Sequence, residues 1–224
     1  MFNINEICDN EYSALIVKST ETPLDDYGRP CGPEVEVDND ISKDFHFPDA
    51  ANFFDNIEEQ TGVPAECIEI SAIPGDPGVL RLSYPSIGDN MYDKDEPTCI
   101  FNIYYRIFSP AGANAIKHLL FGDDASYLNL GVEHLALVED DEVEDDDLGG
   151  CDFHFVESLD DIVSNVGDEI IGYGDAPVDI RAVKNAPGVV ALDYDCDGEE
   201  STVYVRLMAA LSVDELEEMF PVED

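Results

Sequence analysis

Positive charge is what this chain lacks. Ten Lys and Arg face 52 Asp and Glu over 224 residues, leaving a formal net charge of -42. So few bases, spread along the chain, exclude direct binding of nucleic acid, whose phosphates such a surface repels. No apolar run reaches the roughly 18 residues of a membrane span. Met1-Phe-Asn-Ile-Asn-Glu-Ile-Cys8 has neither a basic start nor an apolar stretch, so no signal peptide is expected and the cytoplasm is the default compartment. The cysteines, at 8, 31, 67, 99, 151 and 196, form no Cys-x-x-Cys pair. Free, mostly buried thiols are expected rather than structural disulfides. Gly-x-Ser-x-Gly, the Walker loop and Gly-x-Gly-x-x-Gly are all missing, and none of the four histidines has a Cys or His at metal-ligand spacing. No catalytic residue, metal ligand or cofactor site is therefore nominated. Paired carboxylates are too common here to single out a general acid and base.

The chain does have apolar residues in quantity. They make up 44% of the sequence, above the level of an unfoldable acidic tail, and they are periodic. It also has an internal repeat. Glu34-Val-Glu-Val-Asp-Asn-Asp-Ile-Ser-Lys-Asp-Phe-His-Phe47 aligns without a gap on Glu142-Val-Glu-Asp-Asp-Asp-Leu-Gly-Gly-Cys-Asp-Phe-His-Phe155. Ile68–Tyr84 aligns on Val178–Tyr194, and Ile103–Phe108 on Val203–Met208. A repeat on this scale sets the reading of the whole fold.

The expected fold class is α+β: a tandem duplication of a β-α-β-β-β-α unit, antiparallel sheets with helices packed on one face. The expected domains are 1–124 and 125–224. In each copy a strand (Ala14–Val17 or Leu135–Val138) precedes the shared core. The spacing of Ala50, Phe53, Phe54 and Ile57 predicts a helix stopped by Gly62 and Pro64, and Leu159, Ile162, Val163 and Val166 repeat it behind an N-cap at Ser158. Pro77-Gly78 and Pro187-Gly188 read as turns between strands, and Cys196–Glu199 as a tight hairpin. Strands over Ile100–Phe108 and Thr202–Met208 lead to closing helices. Ser109-Pro110 is the expected N-cap and N1 pair of the first, and Ser212-Val-Asp-Glu215 the capping box of the second.

The candidate site residues are acidic strips. Side chains at i and i+2 of a strand share a face about 6.6 Å apart, so Glu34, Glu36, Asp38 and Asp40 would line one edge. The second copy supplies Glu142, Glu144 and Asp146, extended by Glu139, Asp140, Asp141, Asp145 and Asp147. Two strips of regular negative charge are what a DNA duplex shows its binders, one charge per about 1.7 Å of axis. A solvated linker is the plain alternative for 139–147, and the match to an earlier Asp/Glu-Val strand weighs against it. Asp193-Tyr-Asp-Cys-Asp-Gly198 matches the opening of a calcium loop, but its twelfth position is Tyr204 rather than a bidentate Glu, so a hairpin with surface acids is expected. His46 and His154 are repeat-equivalent, and strand alternation places both opposite the core.

In overall profile the chain resembles the DNA-mimic inhibitors, small and very acidic folded proteins such as phage anti-restriction and anti-CRISPR proteins. The resemblance rests on composition alone. It implies a non-enzymatic protein that occupies the basic DNA-binding groove of a nucleic-acid enzyme, most often a bacterial defence nuclease, in the host cytoplasm if phage-encoded. Two other classes fit the charge: an acid-adapted protein of a halophile, and an acidic chaperone or interaction module for a basic partner.

Overall fold

The structure, a computed structural model, describes residues 12–37, 43–86, 98–121, 130–135, 153–166, 179–184, 186–196 and 199–221. It is a mixed α/β protein of mostly antiparallel strands. The chain forms two compact units. The N-terminal unit runs to Ile107 and resumes at Leu211; the C-terminal unit holds Phe108–Ala210. The boundary expected between 124 and 125 lies outside the described residues.

In the N-terminal unit, β1 (Tyr12–Pro23) pairs with β2 (Val35–Glu36) and β3 (Phe45–Phe47). It neighbours β6 (Cys99–Pro110), which pairs with β5 (Val79–Ser86), and β5 pairs with β4 (Glu69–Ala72). Strand alternation divides β6 cleanly. Phe101, Ile103, Tyr105 and Ile107 enter the core, while Asn102, Tyr104 and Arg106 point to the other face. Helix α1 (Ala50–Thr61) covers that core with Phe53 and Ile57, both 0% exposed. It starts because the Asp49 carboxylate accepts from the Asn52 N–H at 3.0 Å, and stops at Gly62, whose φ of 69° is the left-handed conformation glycine adopts freely.

In the C-terminal unit, β7 (Leu130–Leu135) pairs with β8 (Phe153–Val156) and β11 (Glu199–Ala210). Next come β10 (Val189–Cys196) and β9 (Asp179–Ala182). The pairing of Cys196 with Glu199 closes the expected hairpin. Helix α2 (Ala113–Phe121) brings Ala115, Ile116 and Leu119 to the core, and α3 (Leu159–Val166) brings Ile162. Ser158 caps α3 as expected: its Oγ accepts from the Asp161 N–H, and the Asp161 carboxylate accepts in return from Glu157 N and Ser158 N. Those backbone donors hold Asp161 below the usual carboxylate range.

The closing helix α4 (Val213–Met219) follows the last strand of the C-terminal unit, yet it completes the N-terminal core with Leu211, Leu216 and Phe220. Conversely, α2 follows β6 and completes the C-terminal core. Two hydrogen bonds mark the handover. Leu211 N donates to Ile107 O at 3.0 Å in one unit, and Ala111 N donates to Leu207 O at 2.7 Å in the other. The capping box expected at Ser212 and Glu215 is formed.

The turns recur as well. Ile73 N bonds Val79 O at 2.9 Å and Val183 N bonds Val189 O at 3.0 Å; Ile107 N bonds Gly78 O at 2.8 Å and Leu207 N bonds Gly188 O at 2.6 Å. Gly188 has φ +77°, and a Cβ there would lie 2.8 Å from Leu207 O. Both left-handed strain and a clash against backbone penalise any side chain, so Gly188→Ala is expected to cost about 2 kcal/mol or more. Chemical denaturation of the variant checks this.

Three expectations are corrected. Ser109 and Pro110 do not cap a helix; they end β6, opposite Ala209 and Met208, and α2 starts at Ala113. Of the strand expected at Leu135–Val138, Leu135 ends β7 and 136–138 lie outside the described residues. Cys31 and Cys67 are exposed free thiols and Cys99 is half-buried, because they sit on turns and a strand end. The two Phe-His-Phe segments also differ. In β3, Phe45 and Phe47 pack on the core and His46 points out, bonding Ser13 Oγ at 2.9 Å. In β8 the core position belongs to Val156, which places His154 on the core side and leaves Phe155 56% exposed. A one-residue shift exchanges the faces of a strand.

Candidate partner-binding surface

Of the first strip, Glu34 precedes β2, Glu36 is exposed on it, and Asp38 and Asp40 lie outside the described residues. So does the whole second strip: Glu139, Asp140, Asp141, Glu142, Glu144, Asp145, Asp146 and Asp147. The alternation expected over 34–40 is only partly kept, since Val35 is 53% exposed while Val37 packs on the core.

Glu34 is anchored. Its Oε1 accepts from Thr20 Oγ1 and, at 2.7 Å, from the Tyr104 hydroxyl. Behind it Asn102 Nδ2 donates to Thr20 Oγ1 at 3.3 Å and Ser83 Oγ donates to Asn102 Oδ1 at 2.7 Å. Lys18 Nζ sits 4.5 Å from the Tyr104 ring centre. The Thr20 bond, then the Tyr104 bond and the Lys18 and Arg81 charges, outweigh desolvation and lower the Glu34 pKa. Partial burial, together with the bond to Glu34 and its charge, raises that of Tyr104. A carboxyl with a depressed folded pKa stabilises fully above its unfolded value, near 4.5, and loses that contribution as pH falls through the folded value. Glu34→Gln is therefore expected to cost about 1 kcal/mol at pH 7, discounted for exposure. The difference from wild type should vanish in thermal melts taken towards pH 3. A constant difference at all pH values would show that the charge contributes nothing.

The described bases are largely committed to structure. Arg29 pairs with Asp25 at 2.9 Å, Arg106 with Asp76 at 2.7 Å, and Arg181 with Asp193 at 3.1 Å. Asp193 also accepts from Thr202 Oγ1 at 2.6 Å. Its carboxylate, lowered first by Thr202 and then by Arg181 despite desolvation, belongs to a strand pair rather than to a cation loop. Among the described residues no group of three or more His, Cys, Asp or Glu is placed to hold a metal, and no helix is long and apolar enough to cross a membrane.

Among the described residues, a set of outward acids makes no ion pair with a base. On α1 these are Asp55, Glu58 and Glu59; on α4 they are Asp214, Glu217 and Glu218, all exposed. The two helices share one aromatic stack, Phe220 lying 4.9 Å from Phe53 and 6.1 Å from Phe54. Positions three and four apart on a helix are about 5–6 Å apart, so these acids form two short rows on a rigid support. The apolar spacing of α1 turns Asp55, Glu58 and Glu59 outward, and the fold sets α4 beside them. Compared with known proteins, the chain finds no match among family models, curated proteins or solved structures.

Proposed function

We propose that the protein is a DNA mimic: it occupies the basic DNA-binding groove of a nucleic-acid enzyme, of the bacterial defence nuclease class, and inhibits it by competition. The observation that carries this reading is the display of exposed carboxylates on α1 and α4 in a chain of net charge -42. Carboxylates replace phosphates, pair with the partner's Lys and Arg, and release its counterions as DNA would. No step needs a cofactor. A tandem duplication of the β-α-β-β-β-α unit belongs to the same proposal. It is supported by the recurring turn bonds and by the reciprocal bonds at Ala111 and Leu211.

The test is displacement of a labelled duplex from restriction and CRISPR nucleases. Stoichiometric displacement is expected, with an affinity for the nuclease, titrated directly, that weakens by about 10³-fold or more between 50 and 200 mM salt. Affinity for the partner that is flat with salt, or displacement absent across both classes, sinks the reading. The acid-adapted alternative makes an opposite demand: such a protein unfolds in low salt, where self-repulsion is unscreened.

A further inference from the structure

We propose that Tyr27, at the tip of the turn between β1 and β2, is an aromatic anchor for an arginine of the basic partner, an inference that rests on the acidic-display reading above. The turn is built to hold that residue in place. Asp25 N donates to Arg29 O and Gly28 N donates to Asp25 O, both at 2.8 Å. The Asp25 carboxylate accepts from Tyr27 N at 2.9 Å and from Arg29 N at 3.0 Å. At the base of the turn Leu24 bridges Pro30, and Cys31 N donates to Pro23 O at 2.9 Å. Leu24 N also donates to Thr98 O at 3.0 Å, which ties the turn to the chain entering β6.

The turn uses the backbone of Tyr27 and leaves its side chain outside. At 81% exposed it is the most exposed large hydrophobic side chain among the described residues. So little burial contributes almost nothing to folding. A tyrosine on a fixed backbone offers a wide contact area with few rotatable bonds. Much of the ordering cost of an interface is then met before the partner arrives. Tyrosine and arginine are also the side chains on which binding energy concentrates.

Charge complementarity selects the occupant. The ring already takes one guanidinium, since Arg29 Cζ lies 5.2 Å from its centre. That arginine is matched where it stands: its Nε and Nη2 donate to Asp25 Oδ2 at 3.1 and 2.9 Å. It therefore repels an incoming cation less than a free charge would. Exposed Asp26, the preceding residue, adds a carboxylate beside the ring. A ring next to a carboxylate suits a planar guanidinium better than an ammonium, because the guanidinium stacks and donates at once. Nucleic acid, anionic lipid and a second copy are all repelled by a chain of net charge -42. A basic protein surface is the occupant that remains.

The chain has no tryptophan, so Tyr27→Trp places a single reporter at the turn and keeps a ring that attracts cations. Phe121→Trp, in place of a side chain 79% exposed at the end of α2, is the matching reporter elsewhere. Hexa-arginine and hexa-lysine peptides are titrated into each full-length protein at about 0.15 M salt, with tryptophan emission as the readout. Calorimetry gives the same two affinities for wild type and Tyr27→Leu. The reporter at 27 is expected to favour arginine over lysine by about two- to five-fold, more than the reporter at 121 does. Tyr27→Leu should lose that margin. An equal preference at both reporters, or an unchanged one in Tyr27→Leu, overturns the anchor while leaving acidic display intact. Binding of neither peptide by the wild type overturns both. Sedimentation closes the remaining route: if the wild type self-associates and Tyr27→Leu does not, a second copy is the occupant and the proposal fails.

Discussion

A chain ending at Ala210 is expected to lose the N-terminal unit and keep the C-terminal one. The deleted residues include Leu211, Leu216 and Phe220, exposed by 4%, 0% and 5% within the N-terminal core. Burial of each contributes about 1.5–3 kcal/mol, so their loss removes on the order of 6 kcal/mol. That is comparable with the whole stability of a domain, about 5–15 kcal/mol. The damage also falls where the sequence order would not place it. Phe53, stacked on Phe220, and Ile57 should lose amide-exchange protection, while Val203, Val205 and Leu207 should hold theirs. The point variants sharpen the contrast. Leu216→Ala should cost about 2–5 kcal/mol in the N-terminal unit, and Leu119→Ala a similar amount in the C-terminal unit. Hydrogen exchange followed by mass spectrometry reads both. Loss of protection in β10 and β11 on deletion of α4 would show that the closing helix serves its own half of the chain.

Much of each unit was legible because period-2 and period-3.6 patterns are local. Phe53 and Ile57 declared the buried face of α1, and Val203, Val205 and Leu207 that of β11. Caps at Ser158 and Ser212 were legible for the same reason, since a cap and its partner lie within one turn. Ser109-Pro110 carried the same local chemistry and misled: pairing with β11 continued β6 past it. Which core receives α2 and α4 is a tertiary choice, and neither helix's apolar stripe encodes it. The face of Phe155 was hidden by its match to Phe47. Identity of sequence fixed a repeat position, whereas Val156 opposite Leu130 fixed the register. In the candidate surface, Glu34 was picked for its charge, but its anchoring by Thr20 and Tyr104 joins residues far apart in the chain.

Neutralising the acidic strips is expected to leave the fold standing and to abolish competition with DNA. Glu139, Asp140, Asp141, Glu142, Glu144, Asp145, Asp146 and Asp147 changed together to Asn or Gln remove eight like charges. Their mutual repulsion opposes compaction, so the melting temperature should hold or rise. If they stand in for phosphates, a loss of six to ten charge contacts carries a 10³–10⁵-fold effect on the scale that separates 50 from 200 mM salt. The logarithmic salt slope of partner binding should flatten in step. In the first strip, Glu36, Asp38 and Asp40 belong in a second set, and Glu34 does not, because its carboxylate also holds Thr20 and Tyr104. A third set joins Asp55, Glu58 and Glu59 to Asp214, Glu217 and Glu218, the rows that α1 and α4 fix in place. The three sets, compared in one duplex-displacement assay, rank the surfaces. Asp193 serves as the control, since its charge is already met by Arg181 and its change should affect stability more than competition. Undiminished displacement by a chain carrying all three sets would mean that the acidity adapts the protein to its surroundings, and the salt-loving reading would then lead.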